Sequence, residues 1–218
     1  MDSLDVVYYV RPGERNEELR YSLRSLANLP HERVWVIGHK PSWVAGVEYV
    51  RGNGGHSPQH NAVHNLLLAC DAVEDERFLV FNDDFYLMEP VTEVPLWHAG
   101  PLSQAARSGS LRLALARLLA LGFTDPIAWS LHIPLPVQRA KLAAILATLT
   151  GRSVPEWRSM YGNISGDRGE RAADVKVRRR SDPVPSGPFL SSSDATFPVL
   201  ARLLAARFPH PSPYEVTA

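Results

Sequence analysis

Asp83 and Asp84 stand together inside an otherwise apolar stretch, residues 78–90, FLVFNDDFYLMEP. Two adjacent carboxylates in such surroundings are costly to bury unless cations compensate them. Hard divalent ions take oxygen ligands of this kind and are often shared with substrate phosphates. The competing reading is a β-turn with aspartate as turn former. The preceding run Phe78-Leu79-Val80-Phe81 favours the ion, because a buried parallel strand delivers the residues after it to a sheet edge where ligands bind.

Other residues could join such a site. His132, in LHIPLP, is of a residue type suited to a general acid or base or a phosphate contact; its alternative is a satisfied core or turn histidine. Arg158 and Lys176 are cations of the kind a diphosphate requires, or else solvated surface. Gly52, Gly54 and Gly55 precede a helix start, where backbone amides can cradle phosphate, but the spacing matches neither GxGxxG nor a P-loop. The basic run KVRRR (176–180) reads as a solvated face.

The elements that must position these residues emerge from pattern. LDVVYYV (4–10) is β-branched and aromatic, a buried first strand. Helical spacing of Leu19, Leu23 and Leu26 comes next, with Glu17 and Glu18 in the first turn. RVWVIG (33–38) is a second strand and 47–50 a short third. Ser57-Pro58 opens a second helix as N-cap and first helical proline. With FLVF, the first 85 or so residues alternate strand and helix, which predicts a mostly parallel sheet with crossover helices. Beyond Pro101 the pattern predicts helices at 110–121, 137–149 and 193–208. SLHIPLP (130–136) is a break, Ser153–Glu156 a capping box, and 163–190 is loop-rich.

The chain has 218 residues, 45% hydrophobic and 21% charged, with zero formal net charge. That is an ordinary globular balance, with no whole-molecule attraction to nucleic acid or acidic membrane. A single cysteine, Cys70, excludes an internal disulfide and lies in a buried-helix pattern. No leader-like segment and no membrane-length apolar run stand out, so the expectation is a cytoplasmic protein. The expected organisation is one domain over 1–218. Residues 1–100 form a nucleotide-sugar and metal half; 101–218 form an acceptor-side helical and loop half.

Five blocks, taken in order, resemble a known family: LDVVYYV, EELRYSLRSL (17–26), RVWVIGHKPSW (33–43), ERFLVFNDDFYL (76–87) and LHIPLP (131–136). The resemblance is to stealth-type sugar-phosphate transferases, with ELRYSLRSL and FNDDF the specific matches. It implies an α/β, GT-A-like fold, a mostly parallel central sheet flanked by helices, and a Mn²⁺ or Mg²⁺ ion. It places Asp83 and Asp84 in the acidic motif, Glu18 and Arg20 in the ELR block, His132 in the histidine-x-proline block, and Arg158 at a downstream arginine. The family's acidic Asp-Gly segment after the first strand is replaced here by VRPGERN (10–16).

The resulting expectation is a metal-dependent glycosyltransferase. It would move a sugar from a nucleotide-sugar donor, UDP-linked, to an acceptor hydroxyl on a glycan, a protein or a modified nucleic acid. Transfer of sugar 1-phosphate from the same donor is the alternative, and a non-catalytic carbohydrate- or nucleotide-binding module is the rival of another class. Asp83 and Asp84 hold the metal; Arg11, Arg15, Arg20, Gln59, Asn61, Asn82 and Lys176 contact the donor; His132, Asp194, Glu18 and Arg158 carry the chemistry. Asp194, after three serines, is alternatively a helix N-cap.

Overall fold

The computed structural model describes residues 3–52, 57–149 and 151–216. Its elements are β1 (Leu4–Val10), α1 (Glu17–Ser25), β2 (His31–Gly38), β3 (Glu48–Arg51), α2 (Pro58–Ala72), β4 (Arg77–Phe81), β5 (Phe85–Leu87) and β6 (Trp97–His98). Then come α3 (Leu102–Ala105), α4 (Gly109–Ala120), β7 (Leu135–Gln138), α5 (Arg139–Ala147), α6 (Trp157–Ile164), β8 (Glu170–Arg171), β9 (Phe189–Ser191) and α7 (Phe197–Arg207). Gly54 and Gly55, the candidate phosphate cradle, lie outside the described residues.

The central sheet has the order β3-β2-β1-β4-β7, with every pairing parallel except β4 with β7. Both faces are covered, which is why β1 and β4 read as nearly unbroken apolar runs. Val7, Phe78 and Val80 pack with α2, α4, α5 and α6 on one face. Val6, Tyr8, Val10 and Phe81 pack with Leu19 and Leu23 of α1 and with Leu26 just after it on the other. Cys70 is buried in the first of these layers, and burial pushes its thiol up to about 12.

Caps set the helix starts. The Asn16 side chain accepts from the Leu19 amide at 3.1 Å, so α1 begins at Glu17. Ser57 caps α2 ahead of Pro58, as the sequence pattern predicts.

Three expectations need correction. The break at 130–136 contains the start of a strand: Leu135–Gln138 pairs antiparallel with β4, and α5 starts at Arg139 rather than 137. An edge strand tolerates the proline at 136 because it need not complete a second ladder. Ser153 does not cap α6; the Glu156 carboxylate does, accepting from the Arg158 and Ser159 amides. The last helix begins at Phe197, leaving 193–195 outside it. The loop-rich 163–190 stretch and the residues after it also supply short strands, β8 against β6 and β9 against β5.

Candidate functional site

Register brings two loops to one edge. Val10 of β1 aligns with Gly38 of β2, and Tyr8 aligns with Phe81 of β4. Arg11 and the Asn82-Asp83-Asp84 triplet therefore leave the sheet side by side. From β1 the chain order runs one way through β2 to β3 and the other way to β4, so this is the switch point where open α/β sheets form crevices. A cavity of about 850 Å³ opens there. Arg11, Glu18, Asn61, Asn82, Asp83, Asp84, Lys176 and Asp194 all line it.

Four carboxylates and two cations interlock at this edge. Lys176 Nζ lies 2.7 Å from Asp84 Oδ2, which also accepts from Ser191 Oγ at 3.2 Å. Arg11 donates to Glu18 at 2.9 Å and to Asp194 at 2.6 and 3.1 Å, and its Nε is 3.6 Å from Asp83. Asn16 Nδ2 donates to Asp83 at 3.0 Å and Ser192 Oγ to Glu18 at 2.6 Å.

Acids outnumber cations, and the protonation equilibria register it. Burial, with Asp84 adjacent, pushes Asp83 up to about 6 despite Arg11 and Asn16. Burial also raises Glu18, against the hydrogen bond from Ser192. The exposed Asp194 moves the opposite way, held low by the bond from Arg11, which makes it a weak proton acceptor. Asp84 Oδ1 is buried without a hydrogen-bond partner, as is Asn82 Oδ1. Unsatisfied oxygens beside surplus negative charge are donors suited to a hard divalent ion. Among the described residues no cluster of three or more His, Cys, Asp or Glu forms a ready-made metal cage. An ion here would therefore draw on substrate oxygens and water as well, as Mg²⁺ characteristically does.

The far end of the cavity lies at the ends of β2 and β3 and holds residues that the sequence reading missed: His39, Tyr49, Arg51 and Asn65. Asn65 is 4% exposed, yet its Oδ1 has no hydrogen-bond partner. Glycines make its room. A Cβ on Gly52 would run into the Asn65 carboxamide, and one on Gly38, at φ 112°, would sit 2.9 Å from Asn65 Nδ2. Tyr49 is 42% exposed and donates to the Gly38 carbonyl at 3.2 Å, presenting an aromatic face at the cavity. Asn16 was also missed; an asparagine directly before Glu-Glu and a helical run was its available signal.

Five predicted site residues do not line this cavity. Arg15 is exposed, and its carbonyl accepts from Trp43 Nε1. Arg20 turns away, pairing with Glu17 and Glu215 and stacking 4.3 Å from the Trp43 ring. Gln59 is exposed on the first turn of α2. Arg158 is buried behind the acids, donating to the Trp129 and Ile133 carbonyls, and desolvation lowers its pKa. His132 packs edge-on to Phe85, next in sequence to Asp84. Its Nδ1 lies 3.0 Å from both oxygens of Asp174, which also pairs with Arg178 at 2.6 Å. Desolvation acts to raise Asp174, but these partners hold it down to about 2.

No family model and no curated protein matches the sequence. Among solved structures, the chain is similar to the galactosyltransferase LgtC in complex with donor and acceptor sugar analogues. The TM-score is 0.58 at 11% identity, covering 95% of this chain and 97% of that one. An active-site mutant of LgtC matches with a TM-score of 0.50 at 12% identity, covering 97% and 85%. The fold is GT-A-like, an α/β architecture with a mostly parallel central sheet flanked by helices.

Proposed function

We propose that the chain is a metal-dependent glycosyltransferase that moves a sugar from a nucleotide-sugar donor to an acceptor hydroxyl. One observation carries this: the switch-point cavity has surplus carboxylate at the β1–β4 end and an aromatic, amide-bearing recess at the β2–β3 end. A nucleoside diphosphate sugar has the complementary layout, with base and phosphates separated by a ribose. The glycosyltransferase LgtC, similar in fold, was solved with donor and acceptor sugar analogues.

Asp83 and Asp84 would hold Mn²⁺ or Mg²⁺, which supplies charge stabilisation to a diphosphate leaving group. Arg11 and Lys176 then act as the chain's own cations. Each is held by a carboxylate within 2.7 Å and stands ready to exchange that partner for a phosphate oxygen. Glu18 and Asp194 steer Arg11; Tyr49, Arg51 and Asn65 receive the base. Asn61 lines the same cavity.

A second reading, transfer of sugar 1-phosphate from the same donor, draws support from the His132–Asp174 pair. A carboxylate on Nδ1 orients the ring, which stands outside the cavity against Phe85.

The test is product identification. Purified protein is incubated with UDP-sugars, Mn²⁺ and acceptor extracts. Release of UDP supports sugar transfer, and release of UMP supports sugar-phosphate transfer. Asp83→Ala and Asp84→Ala should each cut turnover by about 10²–10³. Absence of turnover with any donor, with binding intact in both variants, leaves a non-catalytic module.

A further inference from the structure

Lys176 is the more confined of the two cations at the switch-point edge. Its backbone is pinned beside Ser191 of β9. The Ser191 amide donates to the Val175 carbonyl at 3.2 Å and the Val177 amide to the Ser191 carbonyl at 2.9 Å, one bond on each side of the lysine. Its ammonium lies 2.7 Å from Asp84 Oδ2, and the two side chains are only 16% and 12% exposed. Asp84 Oδ2 also accepts from Ser191 Oγ, while Oδ1 is left without a hydrogen-bond partner. Arg11 is placed differently. It is 55% exposed and its partner Asp194 75%, so solvent screens that pair and either group leaves it at little cost.

Separating a shielded ion pair is costly, because each charge is then left uncompensated away from water. Lys176 can release Asp84 only where another anion reaches the ammonium. Asp84 can give up Lys176 only where another cation reaches the carboxylate. Donor and metal provide one each: a diphosphate oxygen satisfies Lys176 and a divalent ion satisfies Asp84. Either ligand alone strands half of the pair. With an ion on Asp84 and no diphosphate, the Lys176 ammonium would face a second positive charge at close range. With a diphosphate on Lys176 and no ion, Asp84 would stand bare beside phosphate. The four carboxylates gathered round the two cations add to this second penalty, since they repel a diphosphate that arrives unaccompanied.

We propose that Lys176 makes donor and divalent ion depend on each other for binding, by competing with the ion for Asp84 until a diphosphate takes the ammonium. The proposal rests on the metal and nucleotide-sugar reading and adds this coupling to it. The test uses the full chain with Mn²⁺ and UDP and needs no turnover. Loss of the free-ion electron paramagnetic resonance signal gives Mn²⁺ affinity and titration calorimetry gives UDP affinity, both corrected for the Mn²⁺–UDP complex formed in solution. Saturating Mn²⁺ should tighten UDP by at least about tenfold, and UDP should tighten Mn²⁺ by the same factor, as linkage requires. A bridging ion gives some coupling in any such site, so the decisive arm is a neutral residue at 176 with Mn²⁺ alone. Lys176→Met and Lys176→Gln should each bind Mn²⁺ about fivefold tighter than wild type, yet bind UDP in the presence of Mn²⁺ about tenfold weaker. Lys176→Arg keeps the charge and should stay near wild type with Mn²⁺ alone. Circular dichroism checks that each variant is folded, and the wild-type coupling requires no variant. The proposal alone is overturned if wild type binds both ligands without coupling. It is equally overturned if the neutral variants bind Mn²⁺ no tighter than wild type, the result for a lysine that merely orients Asp84. Failure of wild type to bind Mn²⁺ or UDP under any condition overturns the underlying reading together with it.

Discussion

Asp83 is the residue where the cost of the site is concentrated. Its carboxyl sits at about 6 in the folded chain against an ordinary 3.8, with burial the largest cause and Asp84 the next. A raised carboxylate binds its proton more tightly folded than unfolded. Its contribution to stability is therefore fully present below the ordinary value and is lost as pH rises through about 6. In the presence of chelator, Asp83→Asn should be more stable than wild type by about 2–3 kcal/mol near neutral pH. The gain should vanish in acid, as denaturant titrations at both pH values would show. A gain independent of pH would mean the carboxyl is not the source. The adjacent acids were legible in the sequence because nothing else interrupts that strand. Tyr49, Arg51 and Asn65 were not, since no spacing links residues that meet only through strand register. Arg20 and Arg158 show the converse: a motif names a residue but not the direction its side chain takes.

At the scale of elements, two packing relations hold the site in shape. The first is the bare backbone where β2 and β3 end. Gly38 and Gly52 leave space that the Asn65 carboxamide fills from α2. Gly52→Ala should push that amide out of place, raising KM for the donor several-fold, with a smaller effect on kcat. Steady-state kinetics separates this from simple unfolding, which would lower active-site concentration alone. The second is the anchorage of α1, which carries Glu18. Arg20 and Arg24 both reach Glu215, at 2.9 and 2.7 Å, and that carboxylate is only 3% exposed. Desolvation opposes its ionisation, but Arg24 and the Ser212 amide outweigh it, so its pKa is lowered. Glu215→Ala should cost about 2–3 kcal/mol. It should lower the melting temperature by about 5–10 °C at neutral pH. The difference should shrink as pH falls below the ordinary glutamate value. The first three strands and first two helices were readable because caps and apolar period agreed there. α6 starts later than a Ser153 cap would place it, since Glu156 accepts from the Arg158 and Ser159 amides while its own amide donates to the Ser110 carbonyl.

At the scale of the molecule, the first and second halves of the chain are interleaved. Lys176 and Ser193–Ala195 complete a cavity otherwise lined by the end of β1 and by the residues that follow β4. Lys176 and Asp194 were expected at the site, but β7 was not, because a four-residue strand with prolines before and within it is too short to show a period. The placement of β7 has a consequence for synthesis. β4 leaves the ribosome more than fifty residues ahead of the strand that covers its outer edge. Until then Phe78, Val80 and Phe81 lie along a strand paired on one side by β1 and open on the other to any extended chain nearby. A fragment ending at residue 100 should accordingly aggregate when expressed alone and be rescued by co-expression of the remainder, which light scattering would reveal. Once β7 is in place the hazard ends, because the proline at 136 has no amide proton with which to recruit a further strand. The same residue that obscures the strand in the sequence thus limits the sheet's lateral growth.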